Sequence, residues 1–134
     1  MPEETTTTPT PPTPAPPAAP AGLTDNAAGA IAYLTFIPAI VFLVLEPYNK
    51  NSFVRFHSWQ SIFLAASAIL INIGLSIVLT VCLFFLPFHL YWTLWRLIDL
   101  FWFVVWIVTL INAAQGKRFK LPFIGNLAEK QANQ

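Results

Sequence analysis

Charge is scarce in this sequence: Asp, Glu, Lys and Arg together make up 10% of its 134 residues. Soluble domains carry about 25%, so the chain lacks the polar surface a water-soluble globule needs, and a soluble enzyme is excluded. Cysteine is almost absent. Cys82 is the single one and lies inside an apolar run, so no intrachain disulfide can form and it reads as a small buried hydrophobe. The net charge is +1, with no clustered basic surface of the kind nucleic acid requires. His89 has no second His, Cys or carboxylate at metal-ligand spacing, so no metal and no cofactor are expected. Ser–His–Asp, His-Glu-x-x-His and Gly-rich phosphate-loop patterns are all missing, and nothing points to an enzyme.

What the sequence has is apolar length: 56% of it is hydrophobic and 15% aromatic. The segment up to Gly22 differs, holding eight of the 12 prolines and no Lys or Arg. Proline fixes φ and cannot donate a backbone hydrogen bond, so residues 1–24 read as a disordered Pro/Thr-rich arm. It is neither a secretory signal nor an Arg-rich transit peptide. Residues 25–132 read as one helical membrane domain with a basic tail.

A hydrocarbon core about 30 Å thick needs about 20 apolar residues in a helix. Three segments qualify, and the expected fold is an all-α polytopic membrane protein with three transmembrane helices, at about 26–45, 60–86 and 90–114. Pro38 should kink the first, Pro87 marks a turn between the second and third, and Gly116 offers a cap for the third. Lys50, Arg55 and His57 follow the first span, and Lys117, Arg118 and Lys120 follow the third. Three spans put these two regions on one face. The positive-inside rule then predicts an outside N-terminus and a cytoplasmic C-terminus.

Ala28, Ala32, Thr35 and Ala39 fall on one stripe of the first span, and Ser61, Ala65, Ala68, Asn72 and Ser76 on one stripe of the second. Small residues let helices approach closely, so these stripes predict the contact between the two spans, with Asn72 hydrogen-bonded in the seam. On the third span Asp99 lies in a stripe with Trp92, Trp95, Trp102 and Trp106, and Arg96 precedes it by three residues. That spacing predicts an intramembrane ion pair, since an unpaired charge at mid-span costs at least ~2.5–3.5 kcal/mol.

Between the first two spans lies the densest polar stretch, Glu46 to Ser61. Pro47 ends the first helix, and Asn51 or Ser52 can cap the next. Phe53, Phe56, Trp59 and Phe63 fall near one side of that helix, as a membrane-surface anchor would place them. The string PYNKNSFVRFHSWQSI resembles the Pro-Tyr…Asn…Val-Arg-Phe-His-Ala-x-Gln-Ser signature of a small bacterial membrane-protein family of unknown function. That family is similar to the small polytopic subunit of the chloroplast inner-envelope protein-import translocon. The matching positions are Pro47, Tyr48, Asn51, Val54, Arg55, Phe56, His57, Gln60 and Ser61, and the tail GKRFKLPFIGNLAEKQA looks like the family's usual ending. The resemblance implies a bacterial cytoplasmic membrane and membership of a complex.

The leading functional expectation is therefore a non-enzymatic, translocon-like subunit or scaffold. Tyr48, Asn51, Arg55, His57, Gln60, Lys117, Arg118 and Lys120 would dock a partner or lipid headgroups. The alternative is a small homo-oligomeric channel or carrier lined by Arg96 and Asp99. Membrane lipids and a protein partner or a second copy are the expected contacts.

Overall fold

The computed structural model describes residues 22–82 and 87–134. The Pro/Thr-rich arm up to residue 21 and the side chain of Cys82 lie outside the described residues, as does Leu86 of the turn expected over Leu86–Leu90, where Phe88 to Leu90 instead already belong to the next helix. The elements in order are α1 (Asp25–Ile31), α2 (Phe36–Val44), a single 3-10 turn (Tyr48–Lys50), α3 (Ser52–Cys82), α4 (Phe88–Ala114) and α5 (Ile124–Ala132).

Among the described residues, α3 and α4 are the two helices long and apolar enough to cross a membrane. Their apolar side chains face outward: Leu70, Ile77 and Val81 on α3 and Leu97, Phe101 and Phe103 on α4 are each more than half exposed. In water each such side chain would forgo the burial that stabilises soluble folds; in lipid it is already solvated. The chain is thus an all-α, multi-pass membrane protein.

Sequence sets the ends of both long helices. Asn51 Oδ1 accepts hydrogen bonds from the backbone N–H of Phe53 at 2.9 Å and of Val54 at 3.3 Å, capping α3. α4 ends in a Schellman motif: the Lys117 N–H donates to Asn112 O, the Gly116 N–H donates to Ala113 O, and Gly116 takes φ +74°. A Cβ on Gly116 would fall 2.9 Å from Asn26 Oδ1, so the same glycine admits the start of α1.

The segment expected as one kinked span is two short helices, α1 and α2, that turn back on themselves. Pro38 explains the break. In a continuous helix its ring would clash with the Leu34 carbonyl, whereas in the first turn of α2 no N–H is required of it. The chain reverses at Ala32–Thr35. α1 rises beside Phe53 and His57 (a Cβ on Gly29 would come 2.8 Å from the Phe53 ring), and α2 returns so that Phe42 packs on Tyr48. The N–H of Leu23 donates to the Tyr48 hydroxyl at 3.1 Å, so the start of α1 and the segment after α2 meet. The segment enters and leaves the bundle at the same end.

The first small-residue stripe is a packing face, but its neighbours differ from the expected ones. Ala28, Ala32 and Ala39 are fully buried in a cluster with Phe42 and Val54, and from the second stripe Ser61 bonds Ala32 O. Thr35 is exposed at the reversal, and Asn72 donates to Ala68 O of its own helix rather than across the seam. Intrahelical bonding at i−4 satisfies the amide without a partner helix.

Candidate functional site

The polar stretch at the start of α3 turns inward. His57, Ser58 and Gln60 are fully buried, and Ser61 nearly so. Ser61 Oγ donates to Ala32 O at 2.6 Å, and Trp106 Nε1 of α4 donates to Tyr33 O at 2.6 Å. These two carbonyls lie where the hairpin reverses and no helical N–H follows to meet them, so side chains of α3 and α4 take over that role. The Tyr33 hydroxyl lies 3.2 Å from His57 Nδ1, and Phe53, Phe56 and Tyr33 ring the imidazole edge-on. Gln60 Nε2 donates to Phe119 O at 2.9 Å, tying down the tail. Arg55 donates to Gln131 O at 3.3 Å, and Arg118 donates to Ser52 Oγ. His57 Nε2, Ser58 Oγ and Gln60 Oε1 are buried without a protein partner among the described residues. Cohesion here rests on the cross-segment bonds that are made.

This placement corrects the docking expectation for His57 and Gln60, which are inaccessible. Asn51 is occupied as a helix cap, Tyr48 receives Leu23, and Arg55 holds α5. Lys117, Arg118 and Lys120 remain exposed on the tail, Lys120 paired with Glu129 at 2.6 Å. The aromatic side of α3 faces protein as well. Phe56 is buried with Ala128 and Ala132 of α5, and Trp59 and Phe63 pack against them. The sequence reading missed α5, although Gly125, Ala128 and Ala132, at spacings of three and four, mark a small-residue face that lets a short helix lie against aromatic rings. The approach is close: a Cβ on Gly125 would meet Lys120 Cα at 2.8 Å.

Arg96 and Asp99 are not joined. Among the described residues the ion pairs are Glu46–Lys50 and Lys120–Glu129. Arg96 and Asp99 are both exposed, on the same outer side of α4 as Trp92 and Phe103. Among the described residues no group of three His, Cys, Asp or Glu side chains could hold a metal ion.

Between α3 and α4 an apolar cleft of about 830 Å³ opens, because the two long helices scarcely touch each other directly. Leu121, Pro122 and Ile124 of the tail form its floor.

The chain resembles several archaeal proteins. It is 41% identical over 110 residues to a UPF0132 membrane protein of Methanocaldococcus jannaschii, covering 81% of this chain and 89% of that one. A second from the same organism is 34% identical over 81% of this chain and 71% of its own length. One from Archaeoglobus fulgidus is 32% identical over 81% and 96%. No solved structure matches. These relatives overturn the expected bacterial family, its likeness to a chloroplast translocon subunit and the bacterial membrane that followed from it. Residues 23–128 match the magnetosome magnetite crystal formation protein family, spanning every helix but the last turn of α5, and the chain belongs to that family.

Proposed function

We propose that this protein is a non-enzymatic subunit of a membrane assembly, made of two crossings, α3 and α4, and a re-entrant α1–α2 hairpin, and that it associates through the outer face of α4. One observation carries the reading: Arg96 and Asp99 stand exposed within a 27-residue apolar helix. Left facing lipid, each charge costs at least ~2.5–3.5 kcal/mol near mid-span. A partner helix bearing complementary groups removes that cost. The residues matched to the resemblance motif are engaged inside the chain, which leaves α4 as the surface with polar groups still to satisfy.

The re-entrant reading is supported by the meeting of Leu23 and Tyr48 and by the side-chain partners of Ala32 O and Tyr33 O. Irregular backbone at membrane depth is tolerated where protein surrounds it.

The test is the native mass of the full chain in nanodiscs, with Arg96→Gln and Asp99→Asn combined. Wild type should carry a stoichiometric partner that the double variant loses. Exchanging the charges, Arg96→Asp with Asp99→Arg, should restore a homotypic contact and not a heterotypic one. A wild type that runs as a lone chain refutes association through α4.

The same face favours a second reading. Copies arranged around a shared axis would bring Arg96 and Asp99 together along a polar path, forming a small channel or carrier. Vesicles holding the wild type should then show a flux that Asp99→Asn changes.

A further inference from the structure

The cleft between α3 and α4 lies on the opposite side of α4 from Arg96 and Asp99, so the α4 association surface does not account for it. Leu64, Leu75 and Leu79 on α3 and Leu97 and Phe101 on α4 are among its walls, every lining residue is apolar, and Leu121 lies in its floor. From Leu64 to Leu79 the cleft runs about 22 Å along α3 at 1.5 Å per residue. That exceeds one leaflet's share, about 15 Å, of the hydrocarbon core. The cleft holds about 830 Å³ between branched and aromatic apolar side chains, a space that flexible hydrocarbon chains can fill.

The floor is joined in sequence to positive charge. Lys120 directly precedes Leu121, and Arg118 and Lys117 stand three and four residues before it in the same non-helical stretch, all three exposed. Lys117 has no ion-pair partner among the described residues, while Lys120 and Arg118 hold Glu129 and Ser52 through exposed, exchangeable contacts. Apolar walls ending at a basic rim match one occupant, a two-chain phospholipid with an anionic headgroup. We propose that this cleft is a specific anionic-phospholipid site: its hydrocarbon chains fill the space between α3 and α4, and Lys117, Arg118 and Lys120 hold its phosphate.

The purified full chain, stripped of endogenous lipid, is offered phosphatidylglycerol or phosphatidylcholine in mixed micelles, and bound lipid is read by native mass spectrometry. Wild type should retain one phosphatidylglycerol per chain, at least tenfold more tightly than phosphatidylcholine. Leu75→Trp should lower retention of both at least tenfold, while Ile73→Trp, on the far side of α3, should not. Replacing Lys117, Arg118 and Lys120 by Ala should erase the headgroup preference and leave phosphatidylcholine binding intact. Inorganic phosphate should not compete, because the chains supply the anchorage. Equal retention of the two lipids by wild type, full competition by phosphate, or unchanged binding to Leu75→Trp overturns the proposal. So does a chain dimer that Leu75→Trp splits without loss of lipid, which would assign the cleft to a second copy. If Leu75→Trp does not fold, a phospholipid carrying a photoreactive group in its tail decides on the wild type. Labelling of Leu75, Leu97 and Phe101 supports the site, and labelling confined to Ile73 and Phe103 refutes it.

Discussion

The two ends of this bundle are built on different principles. At the end where α3 begins, five segments converge, and side chains bridge from one to the next: Ser61 to Ala32, Trp106 to Tyr33, Gln60 to Phe119, Arg55 to Gln131. Toward the other end α3 and α4 separate around an apolar cleft. Lipid chains are as apolar as leucine, so burying leucine against leucine gains little in a membrane. Hydrogen bonds to otherwise unsatisfied carbonyls, and close packing over small residues, do most of the fixing. Among the described residues, the knotted end has bonds and close packing of this kind between segments and the open end has neither.

Substitutions can break that contrast. The largest effect is expected for Gly125→Ala, whose Cβ would meet Lys120 backbone at 2.8 Å. It should lose about 3 kcal/mol and release α5, read as fast amide exchange across Ile124–Ala132. Slow exchange in that variant would mean α5 is not held by the close approach. Next comes Gln60→Leu, which strands Phe119 O; about 2 kcal/mol should be lost in denaturant unfolding, with the tail freed to proteolysis. Ser61→Ala removes one bond to Ala32 O and should cost about 1 kcal/mol, with exchange rising at Tyr33–Thr35 and not in α4. Smallest is Lys50→Ala, which breaks an exposed i,i+4 pair with Glu46. Under about 0.5 kcal/mol is expected, and a larger loss would show that the surface loop shares in the knot.

Those features that depend on local chemistry were legible in the sequence. Length and hydropathy mark α3 and α4, Asn51 is readable as a cap, Gly116 as a helix stop, and the alanine stripe as a packing face. What escaped reading depends on partners distant in sequence. Pro38 signals a disturbed helix, but whether the chain kinks or reverses is decided by Ser61 and Trp106 reaching the freed carbonyls. The aromatic side of α3 looks like a membrane anchor only until α5 is seen lying against it. His57 and Gln60 look like surface docking residues because polar side chains in a loop-like stretch are usually solvated; here they are the internal ties. For Arg96 and Asp99, spacing suggests a pair, but spacing sets only which side chains can meet, and the ion pairs among the described residues are formed elsewhere.

The contact between Leu23 and Tyr48 also bears on how the protein is made. Because the hairpin closes at the end where α3 starts, and α4 comes back to that end, Leu23 and the tail that follows α4 lie at one end of the bundle. In the proposed two-crossing arrangement α3 and α4 enter the bilayer as one hairpin, and the residues that join them, Leu83-Phe84-Phe85-Leu86-Pro87, contain no charge to strip of water.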